Sequence, residues 1–147
     1  MPISVIARCG QLVREYRLPT FATVGDLHSH LSNDKEVLSH CINYPFQFMN
    51  SKKTTVLDET DMLMECTEQQ DGKYIVFFGL SMYVYFVLGD ELLDQIVTTS
   101  ACSLPEVQKM AGIEPCLKII DMSVSKLEHE ANNGMNPQFA LTVHCSM

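Results

Sequence analysis

The stretch TVGDL at positions 23–27 decides how this chain is organised, because its pattern returns as SLPEV at positions 103–107. Both stretches read hydroxyl residue, aliphatic residue, any residue, acid, aliphatic residue. A hydroxyl side chain followed three residues later by an acid is typical of a helix N-terminus, where each side chain accepts a hydrogen bond from the other's backbone N–H. Each stretch therefore predicts a helix start. The two starts correspond, since one lies thirteen residues after Gly10 and the other fourteen residues after Gly89.

The first half of the chain places this helix among β-prone runs. An alternating apolar run, a turn at Gly10-Gln11 and a second run predict a β-hairpin before the helix. A further helical turn is expected at 35–40, and two more strands follow, separated by the acidic loop Asp58–Asp61. The predicted strands are residues 3–9, 12–18, 44–49 and 73–78.

The second half repeats this order. A strand, a turn at Gly89-Asp90 and a return strand again precede the capped helix, for which Gly112 is the expected C-terminal residue. Two further strands follow the helix. The predicted strands of this half are residues 82–88, 92–97, 117–120 and 139–144.

The repeat predicts two domains, residues 1–79 and residues 80–147, that meet at a joint of three residues, 79–81. So short a joint between apolar strands predicts a fixed relative orientation with an interface between the domains. The alternative is a single α/β domain of 147 residues whose halves match by chance.

The chain resembles ubiquitin and its relatives, in particular the proteins that carry two ubiquitin-like domains in tandem. The resemblance lies in the opening Ile3-x-Val5, the hairpin glycine Gly10, the helix entry at 23–27 and the segment Leu57–Thr60. It implies an α+β fold of two tandem, rigidly coupled β-grasp domains. Conjugated members of the family end in Gly-Gly, whereas no glycine pair follows Gly134 here. We therefore expect a non-conjugated protein.

The composition of the chain limits the kinds of partner that we expect the protein to bind. The net charge of −8 and the scattered basic residues argue against nucleic acid, because phosphate contacts need clustered Lys and Arg. The uncharged run at 74–88 is shorter than a membrane helix and rich in β-prone residues, so we expect buried strands and no membrane span. The N-terminal residues do not resemble a signal peptide, which predicts a cytoplasmic or nuclear protein with reduced thiols.

No pattern marks the chain as an enzyme. The six cysteines contain no C-x-x-C pair, and the histidines are not spaced to share a metal on one helix face. We expect no metal and no cofactor. A thiol-dependent enzyme or redox protein that uses Cys145 or Cys41 is one alternative.

We expect a protein-interaction adaptor that binds a protein partner, with a homodimer formed through sheet edges as a further expectation. The expected binding surface lies on the third and final strands of the domains, with the acidic loop as its rim. Alternatives are a ubiquitin-like modifier or its decoy and a structural subunit of a larger assembly. The candidate partner-binding residues are Gln47, Met49, Lys118 and Met122, with Asp58, Glu59 and Asp61 in the rim.

Overall fold

A computed structural model describes residues 2–41, 46–112, 118–126 and 139–146. The fold is α+β, with a mixed eight-stranded sheet and four short helices among these residues. The strands are β1 Ile3–Cys9, β2 Leu12–Leu18, β3 Phe46–Met49, β4 Gln69–Gln70, β5 Lys73–Leu88, β6 Glu91–Thr99, β7 Lys118–Lys126 and β8 Phe139–Ser146. The helices are α1 Val24–Ser32, α2 Lys35–His40, α3 Leu63–Cys66 and α4 Leu104–Ala111.

Strand β5 is shared by both halves of the chain. Its first part pairs in parallel with β1 and antiparallel with β3 and β4. Its second part pairs antiparallel with β6 and in parallel with β8. Strand β2 extends the sheet beyond β1, and β7 extends it beyond β8. The strand order is therefore β2-β1-β5-β3 in the first half and β6-β5-β8-β7 in the second.

The predicted joint at residues 79–81 is wrong, because these residues lie inside β5. Gly79 pairs with Gln47 of β3, and Ser81 pairs with Thr99 of β6. The strand therefore passes from one set of partners to the other without a turn. The β-branched and aromatic residues on both sides favour an extended backbone throughout. The division into residues 1–79 and 80–147 stays a prediction.

Both predicted helix starts are confirmed. The Asp26 N–H donates to Thr23 Oγ1 at 3.2 Å, and the Thr23 N–H donates to Asp26 Oδ2 at 2.9 Å. In the second half the Ser103 N–H donates to Glu106 Oε1 at 2.9 Å. A side-chain cap of this kind contributes about 1 kcal/mol to stability. Helix α4 ends at Gly112, which adopts the left-handed conformation that glycine tolerates best.

The first half contains the larger core. The rings of Phe46, Phe48 and Phe78 lie against one another, with centroids 5.5 to 6.0 Å apart. Leu27 and Leu31 on one face of α1 are fully buried in the same cluster. Aromatic pairs of this geometry contribute about 0.5–1.5 kcal/mol each beyond the burial of their surface. The core thus fixes β3, β5 and α1 relative to one another.

The second half has a smaller core on the continuation of β5. Its buried members come from β5, α4 and β8, and they are Val84, Phe86, Val107, Val143 and Cys145. Partly buried side chains of β6, β7 and α4 surround them. Among the described residues, the second half thus buries fewer apolar side chains than the first half does.

Gly79→Ala should destabilise the protein, because a Cβ at this position would lie 2.5 Å from Ser100 Oγ and 2.8 Å from the Ala101 nitrogen. The loop between β6 and α4 would have to move away. Overpacking of this kind costs about 1–3 kcal/mol. The free energy of unfolding in urea measures the effect.

Ser125→Ala, on an exposed position of β7, is the control and should change the unfolding free energy by less than about 0.5 kcal/mol. Equal unfolding free energies for the two variants would contradict the close packing of the loop on Gly79.

Candidate functional site

The junction between the two halves is packed and hydrogen-bonded. The Leu80 N–H donates to Ser100 Oγ at 2.8 Å, and the Ser100 N–H donates to the Leu80 carbonyl at 2.9 Å. The Ser81 hydroxyl donates to Gln47 Oε1 at 2.5 Å. Within the described residues, every buried side-chain nitrogen and oxygen has a hydrogen-bond partner. Hydrogen bonds therefore hold β3 and the β6–α4 loop in place. Among the described residues, no buried side-chain polar atom is left unpaired to oppose this packing.

Lys53 extends the junction towards the surface. Its ammonium lies 3.5 Å from Glu106 Oε1 and 4.4 Å from the centroid of the Phe77 ring. Burial alone would raise the pKa of Glu106, but hydrogen bonds from Ser103 and the nearby ammonium together lower it. The φ angle of Lys53 is 54°, a left-handed conformation that is uncommon for a residue with a side chain. Lys53 thus links the turn after β3 to the start of α4.

Met49, which the sequence placed on the partner-binding surface, is fully buried, with 0% of its side chain exposed. Alternation along β3 puts it on the same face as Gln47, away from the phenylalanine cluster. The second half covers that face, since Met49 Sδ contacts Thr98 and Cys102. The expectation of an exposed Met49 was therefore wrong, and the cause is a contact between residues about fifty positions apart.

Gln47 and two acidic residues of the predicted rim, Asp58 and Glu59, come together, whereas Asp61 does not line the same cleft. Gln47, Val56, Leu57, Asp58 and Glu59 line an open cleft of about 360 Å³, here called the β3 cleft. Leu57 is buried, whereas both carboxylates are exposed. The cleft combines an apolar wall with an amide and two negative charges. Such a surface suits a basic or hydrogen-bonding segment of a protein partner.

The acidic loop at residues 58–61 also has a structural role that the sequence did not reveal. The Glu59 carbonyl accepts a hydrogen bond from the Gly25 N–H, and the Asp61 carbonyl accepts one from the Val24 N–H, both at 2.9 Å. The first N–H groups of a helix have no partner within the helix. The loop supplies these partners for α1, so its backbone is held against the helix.

Two carboxylates of this loop, those of Asp58 and Asp61, are held in place by the loop itself. Thr60 donates to Asp58 Oδ1 from its N–H and from its hydroxyl, both at 3.0 Å, and these hydrogen bonds hold the pKa of Asp58 below its ordinary value. The Asp58 N–H donates to Asp61 Oδ2 at 3.0 Å. The β3 cleft therefore presents a fixed negative charge on its rim.

Met122 and Lys118 lie in a different part of the sheet. Both belong to β7, which pairs with β8, whereas the β3 cleft lies beside the first part of β5. Met122 is 50% exposed, and Ile120 and Val124 are each 67% exposed. The side chain of Lys118 lies outside the described part of the structure. The expected surface is thus divided, with Gln47, Asp58 and Glu59 in one region and Met122 in another.

Two buried thiols lie together in the first half. Cys9 ends β1 and Cys41 follows α2, and both belong to the same core cluster. A hydrogen bond from the Cys41 thiol holds the pKa of Cys9 below its ordinary value; burial opposes this effect, and the charge and hydrogen bond of His40 reinforce it. The same contact with Cys9, together with burial, raises the pKa of Cys41. The sequence pointed to Cys41 but missed its partner, because the two residues are far apart in the chain.

Cys145, the other thiol considered from the sequence, is buried in the second core. Its sulfur lies 3.9 Å from the carbonyl oxygen of Val143 in the same strand. Cys66 is half-buried, and burial raises the pKa of its thiol to about 11. These two cysteines have the environments of structural residues.

Comparison with known proteins found no match from which a function could be transferred. No protein-family model matches the chain, and no curated protein matches it. Across the described residues, no helix is long and apolar enough to cross a membrane. In the same part of the chain, no three His, Cys, Asp or Glu side chains gather in a group that could hold a metal ion.

The alkylation of Cys9 by iodoacetamide should reach its half-maximal rate at a lower pH than that of Cys66. The thiolate is the nucleophile, and the pKa of Cys9 is lowered whereas that of Cys66 is raised to about 11. Mass spectrometry of peptides after timed alkylation gives the pH profile of each residue separately, so different accessibilities do not matter. His40→Gln should move the Cys9 profile to higher pH and leave that of Cys66 in place. Identical profiles for both residues would contradict the described thiol pair.

Proposed function

We propose that this protein is a tandem pair of ubiquitin-like (β-grasp) domains that serves as a non-catalytic, non-conjugated adaptor or assembly subunit for a protein partner. The observation that carries the proposal is the junction. A shared strand and a set of directional contacts hold the two halves in one arrangement, so that the β3 cleft of the first half keeps a fixed position relative to the second half.

The strand order supports the β-grasp interpretation. In each half a hairpin leads into a helix, a third strand follows, and the last strand lies parallel to the first and between the first and the third. Strand β5 is the last strand of the first half and the first strand of the second. Two units that overlap in one strand cannot reorient as units joined by a flexible linker do.

The β3 cleft is the proposed docking site. It is open and carries a rim of fixed negative charge beside an apolar wall. Fixed charges of one sign select a partner of the opposite sign and accelerate its association. The proposed partner segment is therefore basic, with an apolar residue that packs against the partly exposed Val56.

The alternatives are less well supported. A modifier processed at Gly134 would lose β8, which supplies Val143 and Cys145 to the second core. The burial of Cys41 and Cys145 favours structural over enzymatic roles for these thiols, because reactive cysteines are partly exposed. We therefore prefer the adaptor to a modifier or a thiol enzyme.

Affinity purification from the source cells tests the adaptor function. The tagged full chain should retain a partner at near-stoichiometric amount in a native wash and lose it in a fully denaturing wash. Mass spectrometry identifies what remains bound. Species that survive denaturation would show covalent attachment, and the proposal of a non-conjugated adaptor would then be wrong.

Glu59→Lys locates the docking site in the same experiment. Reversal of an interface charge should reduce the retained partner about tenfold. Glu91→Lys, on the exposed β5–β6 hairpin of the second half, is the control and should retain the partner fully. Equal loss or equal retention in the two variants would show that the partner does not use the β3 cleft.

A further inference from the structure

Three sulfur atoms from separate elements meet at the junction. The Cys102 thiol lies 3.2 Å from Met49 Sδ, so that S–H and thioether are in contact. Thr98 Oγ1 lies 3.8 Å from Met49 Sδ and 3.6 Å from Met110 Sδ. Met49 comes from β3, Cys102 from the loop after β6 and Met110 from α4. The buried Thr98 hydroxyl thus contacts both thioethers, and the Cys102 thiol contacts one of them, that of Met49.

This set of side chains matches the ligand preference of soft metal ions. Thiolate and thioether sulfur select Cu(I), whereas oxygen ligands suit Mg²⁺ and Ca²⁺. One thiolate neutralises one monovalent cation. A neutral site agrees with the surroundings, because the side chains of Met49 and Thr98 are both 0% exposed and a net charge there would be costly.

The cluster lies beside an open cleft, with Met110 in its wall. Met110 is half-buried and forms part of the wall of an open cleft of about 400 Å³. Cys102 is also half-buried. The cleft spans the two halves, and its lining residues are Lys52, Lys53, Thr54, Glu106, Lys109 and Met110.

We propose that Met49, Cys102 and Met110 form a binding site for Cu(I) at the junction of the two halves. Binding breaks the S–H bond of Cys102 and forms a Cu–S bond; the proton leaves to solvent, the two thioethers donate lone pairs, and no electron is transferred. With metal–sulfur bonds of about 2.3 Å, as for zinc thiolates, two ligands of one ion lie about 4 Å apart. The Cys102–Met49 pair therefore has to open by less than about 1 Å.

The position of the site means that a bound ion would connect the two halves of the chain. Met49 belongs to the first half of the chain and the other two ligands belong to the second, so a bound ion cross-links the halves. A bound ion should therefore raise the melting temperature of the protein.

Silver(I) is the first probe, since it shares the sulfur preference of Cu(I) and does not change its oxidation state under the conditions used. The full reduced chain carries ¹³C-methyl methionine, and its nine methionines report separately by NMR. One equivalent of silver(I) should shift the methyl signals of Met49 and Met110 and leave those of the other seven methionines in place. Binding without a shift of these two signals would place the ion on other thiols and overturn the proposal.

Competition with the Cu(I) chelator bicinchoninate, under reducing and anaerobic conditions, tests the ligands one by one. Met110→Leu keeps all six thiols and should weaken Cu(I) binding at least tenfold, and Cys102→Ser should abolish the tightest site. Met64→Leu and Cys66→Ser are the matched controls and should bind as the parent chain does. Equal affinity of Met110→Leu and Met64→Leu, in variants with unchanged circular dichroism, would overturn the proposal.

Discussion

The close approach of the β6–α4 loop to Gly79 is the contact on which the rest of the structure depends. There is no space for a Cβ at Gly79, because Ser100 and Ala101 lie directly against it. At this point β5 exchanges the partners of the first half for those of the second. The relative placement of the halves is therefore set by backbone pairing along β5 and by the packing of the β6–α4 loop on Gly79. A flexible linker would not fix this placement.

The described residues of the two halves differ in how much apolar surface they bury. The first half packs a phenylalanine cluster beneath α1, and Phe46 and Phe48 of its β3 are each 2% exposed. In the second half, Met122 and Val124 of β7 remain largely exposed. Burial of apolar area is the main source of stability. The junction adds contacts between the halves, namely the Ser81–Gln47 hydrogen bond, the Lys53–Glu106 contact and the sulfur cluster.

Features that depend on neighbours in the chain could be predicted well. The capping pairs Thr23–Asp26 and Ser103–Glu106 start their helices as expected, and Gly112 ends α4. Gly10 and Gly89 both adopt a φ of 60° in their hairpins. The short helix at 35–40 and most strands also lie where the sequence placed them. Caps, turns and alternation act over a few residues, so the local sequence is sufficient to specify them.

The sequence by itself thus determined most of the elements, their repeated order and the acidic character of one loop, but not α3 or β4. Only the tertiary structure decided that β5 is one strand, that Met49 is buried, that the acidic loop holds the start of α1 and that Cys9 lies beside Cys41. Each of these depends on residues distant in sequence. The sequence pattern of an apolar run such as 74–88 is the same whether the run forms one strand or two. Alternation indicates which residues share a face of a strand, but it does not indicate which strands pair along its edges.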